Sequence, residues 1–168
     1  MNKIRQKEMW KGLIQDIGVL GGVNWSSEAK VLKYLPGIRI ALNLPKFAFA
    51  NLDTTAYLDG SRGLANNGAP KENDSFMVDF NWGLPFSVGK QNFSIEGHVE
   101  FIGPRDNSFG DRVKWHILAQ PQFRYDLGKP FGQANLVYIG VELQIWINKL
   151  GDGSTDEFAP QALVVWRF

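Results

Sequence analysis

The sequence predicts an all-β protein, an up-and-down antiparallel β-barrel that crosses a membrane with about eight strands. Two observations lead to this prediction. Apolar and polar residues alternate with a period of two through most of the chain after about residue 37, and long and short connections alternate between the resulting strands. We treat residues 1–168 as one barrel domain, in which residues 1–12 form an N-terminal tail or a short helix.

Composition excludes several classes of function. The net charge of +1 argues against a general nucleic-acid binder, and the absence of cysteine excludes disulfide scaffolds and thiolate metal sites. No run of about 18 apolar residues predicts a transmembrane helix. The first residues lack the apolar stretch of a signal peptide. Three interpretations stay open: a mature form, a piece of a longer precursor, or a cytosolic protein.

The first half of the chain has the weaker alternation. Its order is a faint strand followed by two clearer ones, with connections that are long, short and long. The expected elements are strand 13–23, long connection 24–36, strand 37–43, short turn 44–46, strand 47–58 and long polar connection 59–74.

The second half alternates more cleanly, and several of its strands reach about 9–11 residues, enough to cross a bilayer at a tilt. The expected strands are 75–86, 93–101, 115–127, 137–147 and 160–168. Their connections are short at 89–91, long at 103–113, shorter at 128–134 and long at 151–158. This regular change of loop length is typical of a membrane meander with two different rims.

Aromatic residues indicate which face of the strands is outside. Many lie near strand ends on the apolar face, as the girdle residues of membrane barrels do. They are Trp82, Phe86, Phe93, Trp115, Tyr125, Trp166 and Phe168. The terminal Phe168 also resembles the last residue of many bacterial outer-membrane barrels. A soluble lipocalin-like barrel with these aromatics in its core is the alternative.

Four segments resemble the Tsx-like family of outer-membrane nucleoside channels. They are YLPGIRIALNLPKFAFANL at 34–52, NWGLPFSVG at 81–89, QPQFRYDLG at 120–128 and the closing hairpin over 138–168. In order and spacing they are similar to the family's strands and turns over roughly residues 10–168.

The resemblance implies a monomer in the bacterial outer membrane that passes nucleosides without a cofactor and contacts lipid or detergent. Family members have twelve strands, and this chain starts where about four would already have passed, as a truncation or a natural short form. An eight-stranded barrel has an interior just wide enough for side chains. A small closed outer-membrane barrel without channel activity therefore stays open as an alternative.

The candidate lumen residues are the charged and aromatic residues of the polar face. They are Phe47, Phe49, Asp53, Tyr57, Asp79, Glu96, His98, Glu100, Arg124, Glu142, Trp146 and Arg167. Aromatic rings here, Tyr138 included, could stack on nucleobases, which contributes about 1–3 kcal/mol per base.

Glu96, His98 and Glu100 project from one strand face and could bind a metal or act in acid–base chemistry. The preferred interpretation is a polar network with Arg39, Arg124 and Arg167. No nucleophile with a partner base is recognisable, so we expect no enzyme, no catalytic residue and no metal site.

Overall fold

The computed structural model describes residues 12–167, so residues 1–11 of the predicted tail and the terminal Phe168 lie outside it. The described chain is β-sheet with short 3-10 turns. Its strands are β1 (Ile14–Ser26), β2 (Val31–Leu42), β3 (Phe49–Asp59), β4 (Ser75–Val88), β5 (Gln91–Ile102), β6 (Arg105–Asp106), β7 (Arg112–Val113), β8 (His116–Ala119), β9 (Gln122–Asp126), β10 (Val137–Ile147) and β11 (Glu157–Trp166). The turns are Leu64–Asn66, Lys129–Phe131 and Lys149–Gly151. No helix in this range has the length and apolar character to span a membrane.

The main sheet is an antiparallel up-and-down meander, as predicted, in which strands pair in their order along the chain, with β8 and β9 together filling one position. Its order is β1-β2-β3-β4-β5-β8-β10-β11, and β9 shares the position of β8 between β5 and β10. The strand count differs from the predicted eight, because this sheet has nine strands and a separate sheet pairs β6 with β7.

One predicted strand, 115–127, divides because proline has no backbone N–H to donate to a ladder. The break falls at Gln120 and Pro121, between β8 and β9. Gln120 N still donates to His98 O at 2.9 Å, and Leu143 N donates to Pro121 O at 3.0 Å. A Cβ on Gly97, across the ladder, would lie 2.5 Å from Gln120 O, so a glycine is required at this irregularity.

The connection predicted over 24–36 is wrong. The strands extend from both sides to a tight hairpin at 27–30, which Lys30 helps to close with a φ of 54°. Pro36 lies inside β2 opposite Gly21, and the ladder between β2 and β3 pairs Tyr34 and Gly37 but neither residue between them. Pro36 therefore occupies a gap in pairing, where its missing donor costs nothing.

The connections alternate in length as the sequence indicates only in the middle of the chain, where 60–74 and 103–115 flank the turn 89–90. At the ends the expectation fails, since 27–30 is shorter than 43–48 and 148–156 is no longer than 127–136. One rim carries the connections 27–30, 60–74, 103–115 and 148–156, and we call it the long-loop rim. The other carries 43–48, 89–90 and 127–136, and we call it the short-loop rim. The small β6–β7 sheet belongs to the connection 103–115.

The two faces of the sheet differ sharply in exposure. The apolar face points outward: Val19 is 92% exposed, Val164 73% and Phe123 48%. The polar face is covered instead, and buried residues on it include Asp53, Asp79, Ser94, His116 and Asp126. Only four hydrophobic residues of the described chain are buried: Ala50, Tyr57, Ile102 and Tyr138. A soluble barrel with an apolar core, the lipocalin-like alternative, would show the opposite arrangement.

The sheet curls around its polar face. Arg167, directly after β11, reaches Glu96 on β5 across the two intervening sheet positions. Phe49 at the start of β3 lines the same cavity as Tyr138 of β10. The polar face is therefore concave, and we call it the inner face.

Candidate functional site on the inner face

A continuous chain of side-chain hydrogen bonds crosses the inner face, beginning at β2. The Arg39 guanidinium donates to both carboxylate oxygens of Asp53, Nε to Oδ1 at 2.7 Å and Nη2 to Oδ2 at 2.6 Å. Asn81 Nδ2 donates to Asp53 Oδ2 at 3.1 Å and to Asp79 Oδ2 at 2.9 Å. Asp79 Oδ1 is 2.8 Å from His98 Nδ1, which carries the chain to β5.

The orientation of Gln120 shows how His98 is held. Gln120 Nε2 donates to Glu142 Oε1 at 3.2 Å, so its oxygen faces His98 Nε2 at 2.9 Å. Both neighbours of the imidazole are acceptors, which is the environment of a ring that donates from both nitrogens. Glu142 also accepts a bond from Gln122, and Gln122 accepts from Arg124 Nε at 2.8 Å.

Glu96 is the next junction of the network. Arg124 Nη1 donates to its Oε2 at 2.6 Å, while Ser94 Oγ at 2.8 Å and Arg167 Nη2 at 3.3 Å share Oε1. The Arg167 guanidinium also lies over the Tyr138 ring, 4.8 Å from its centroid. Side chains from β2 to the end of β11 thus form one connected set, which we call the inner network.

A cavity of about 500 Å³ opens at the short-loop rim beside the inner network. Phe49, Glu96 and Arg167, three of the predicted lumen residues, line it together with Tyr138. Its remaining lining includes the polar residues Ser87, Asn92, Ser94 and Asn135. A space of this size suits a small organic solute, with a carboxylate, a guanidinium and four aromatic residues, Phe49, Phe86, Phe93 and Tyr138, in its lining.

Other predicted lumen residues lie elsewhere. Phe47 precedes β3, in the turn closed by its N–H on Leu44 O. Glu100 faces Asp79 across the β4–β5 ladder. Trp146 is at the long-loop end of β10, with its ring 6.1 Å from that of His116. Tyr57 is also at that end, so the aromatic residues that were expected to stack on nucleobases lie at both rims and not together.

The long-loop rim carries a charged cluster that the sequence did not reveal. Lys33 Nζ donates to Asp59 Oδ1 at 2.9 Å and to Glu72 Oε2 at 2.7 Å. Arg105 Nε donates to the same Glu72 oxygen at 2.5 Å. Burial disfavours the Glu72 carboxylate, but bonds from Arg105 and Lys33 outweigh it and lower its pKa below the ordinary value. Lys33 lies where the sequence predicted a loop, and Glu72 and Arg105 lie in polar connections whose sequence has no pattern that pairs them.

Within residues 12–167, no group of three or more histidine and carboxylate side chains is arranged to hold a metal ion. Glu96, His98 and Glu100 are therefore not assembled as ligands, and Glu96 contacts Arg124 and Arg167 as expected, whereas Arg39 pairs with Asp53. Comparison with protein-family models, curated proteins and solved structures gives no significant match.

Proposed function

We propose that this chain forms the wall of a bacterial outer-membrane β-barrel whose inner face guides nucleosides or similar small polar solutes. The observation that supports this most is the inversion of the sheet, with its apolar face exposed and its polar face buried. In water such an arrangement leaves the apolar area unburied, whereas in a bilayer lipid covers it.

Two groups of aromatic rings on the apolar face lie near the rims, where girdle residues are expected, although the predicted girdle residue Trp82 lies at the middle of β4 and stacks on Phe80. Near the short-loop rim, Phe93 contacts Phe86, Phe123 and Tyr125 with ring centroids 5.4–5.7 Å apart. Near the long-loop rim, Phe101 contacts Phe76 at 5.9 Å and Trp115 at 6.0 Å.

The spacing of the two girdles supports the same placement. Phe76 and Phe86 stand ten residues apart on β4. That is about 33 Å along the strand at about 3.3 Å per residue. A strand tilt of about 40° reduces this to a height of about 25 Å, the usual height of the lipid-facing band.

The solute class follows from the resemblance to nucleoside channels and from the cavity at the short-loop rim. Phe49 offers aromatic surface for a base, while Glu96 and Asn92 offer polar atoms for sugar hydroxyl groups. The cavity volume of about 500 Å³ exceeds that of one such solute, so passage needs no tight fit.

A second candidate, a closed barrel without conduction, is favoured by the inner network. Hydrogen-bonded side chains cross the inner face from β2 to the end of β11, and in a narrow barrel they would fill the lumen. The outer edges of β1 and β11 pair with no other strand of the described chain. Because free edges are not tolerated in lipid, they pair with each other or with further strands. The first closure gives a narrow lumen and the second a wider one.

Conductance of the refolded full chain in a planar bilayer tests the proposal. We expect steady openings that adenosine or thymidine partly blocks, because a base that stacks at Phe49 obstructs ion flow. The variant Phe49→Leu should weaken the block and keep the openings.

The matched control is Phe131→Leu, a change to an exposed aromatic residue in the connection 127–136 that is not part of the cavity lining. It should leave both conductance and block unchanged. A folded, inserted protein without any conductance would refute the channel and leave the closed barrel. Openings that no nucleoside affects would refute the solute class alone.

A further inference from the structure

Two long connections are joined to each other over the long-loop rim. Glu72 pairs with Asn107 in a β-bridge, Asn73 N donates to Asp106 O at 2.8 Å, and Ser108 N donates to Lys71 O at 2.8 Å. The connections 60–74 and 103–115 therefore form one layer, which we call the cap.

The cap is attached to the barrel wall through Glu72. This carboxylate comes from the connection 60–74, while its partners are Arg105 on β6 and Lys33 on β2. The Glu72 N–H also donates to Asp59 Oδ2 at 2.9 Å, at the end of β3. One residue thus connects both loops to two strands of the wall.

The attachment is built over the inner face and not beside it. Both cations lie close to the Tyr57 ring, with Lys33 Nζ 5.5 Å and Arg105 Cζ 5.1 Å from its centroid. Lys33 and Tyr57 are 3% and 6% exposed, so the cap covers the polar face at this end. The open cavity is at the opposite rim.

We propose that the cap is a gate on the long-loop mouth and that Glu72 is its latch. This inference rests on the proposed channel function. When the Glu72 carboxylate is ionised, it holds Arg105 and Lys33 and the mouth is covered. When that charge is lost, Arg105 and Lys33 repel each other beside Tyr57, and the two loops separate from the wall. Asp59 stays bonded to Lys33, and His116 on β8 lies near enough to feel the charges of Arg105 and Glu72.

Hydrogen exchange of cap amides in the refolded full chain tests the latch without reference to conduction. In E72Q the amides of Asn73 and Ser108 should exchange faster, on the order of ten- to a hundredfold, because a part-buried ion pair is broken. Amides in the centre of β4 should not change. R105Q breaks the same pair from the other loop and should give a similar increase, and the double variant should add little to either.

D106N is the matched control. It neutralises a carboxylate in the same connection. The Asp106 carboxylate pairs with Arg112 at 3.0 Å in an exposed ion pair, and neither side chain of that pair bonds to Glu72. Cap exchange should stay as in the unaltered protein. Unchanged exchange in both E72Q and R105Q would overturn the latch.

Conductance of the same variants tests the gate. Larger openings in E72Q and R105Q than in D106N would support it. Faster cap exchange with an unaltered conductance would overturn the gate. Faster exchange in a chain that never conducts would leave the latch standing and refute the channel itself.

Discussion

The two faces of the same strands obey opposite rules. On the outer face, neighbouring side chains contact one another mainly through apolar and aromatic groups, apart from the bond that Tyr125 donates to Gln91, and most could be exchanged for another of similar size with little consequence. On the inner face, the polar groups of the inner network each have a specific partner, and Glu96 alone accepts bonds from Ser94, Arg124 and Arg167. The outer face thus requires only apolar surroundings, whereas the inner face requires particular pairs of side chains. Substitutions on each face should differ accordingly.

The largest effect is expected where the inner network loses a cation. Arg124→Met leaves Glu96 with the longer bond to Arg167 as its only remaining arginine contact, and both Arg124 and Glu96 are largely covered. We expect a loss of about 3 kcal/mol, near the lower end for a broken buried pair. Urea titration of the protein folded in lipid vesicles measures it.

The double variant R124M/E96Q is the control for that change. Because it removes the stranded charge as well, it should lose less than the two single variants together. Strict additivity would mean that Arg124 and Glu96 do not act as a pair.

A comparable effect is expected on the outer face at the middle of β10. Val141 is 46% exposed and faces away from the inner network. If lipid covers it, Val141→Arg should destabilise the vesicle-bound fold by about 2–4 kcal/mol. Val141→Ala serves as the comparison, since it removes apolar area without adding charge. Equal losses in the two variants would argue against lipid on this face.

The smallest effect is expected at the cap, as the pH falls. The pKa of Glu72 is lower in the folded chain than in the unfolded chain, so its contribution is complete above the ordinary glutamate value near 4.3. It is lost as the pH falls through the depressed value of the folded state. Exchange of the Asn73 amide should therefore accelerate in acid in the unaltered protein, after correction for intrinsic rates.

E72Q should show no such acceleration, because its side chain does not titrate. Asp152 tests the specificity of this result. Its pKa is lowered to about 2 by bonds from Thr155 and Ser154, yet it is fully exposed on another connection of the same rim. D152N should leave the acid response of the cap intact. A cap that responds to Asp152 and not to Glu72 would contradict the assignment.

Alternation predicted the strands well wherever every second residue met the apolar face without interruption. The strand 137–147 agrees with β10 at both ends, and 75–86 falls two residues short of β4. Prolines explain the main errors. Pro36 was predicted to lie in a loop, because the sequence does not show that the ladder between β2 and β3 has a gap at this residue. Pro121 was predicted to lie within a strand, because the interruption of that strand depends on Gly97 of the facing strand.

For the candidate site, the sequence predicted which side of the sheet each residue faces but not which residue it bonds. Alternation placed Glu96, His98 and Arg124 on the polar side, and the structure agrees. Which acid meets which base depends on the register between strands, since a shift of one residue reverses every side chain. The cap was beyond prediction because Glu72 and Arg105 lie in connections with no period, 33 residues apart in sequence.

Pro160 gives the free edge of β11 an uneven surface. Pro160 lies opposite Leu143 in the β10–β11 ladder, and the Leu143 N–H donates away from β11, to Pro121 O. In such a pair both nitrogens point away from each other, so the nitrogen of Pro160 points to the outer edge of β11. Any strand that docks there meets a ladder with one donor missing in its middle. A neighbour that carries a bulge or its own gap at that height can pair without loss, and a uniform strand leaves one carbonyl unmet. The edge therefore discriminates among the strands that could complete the sheet.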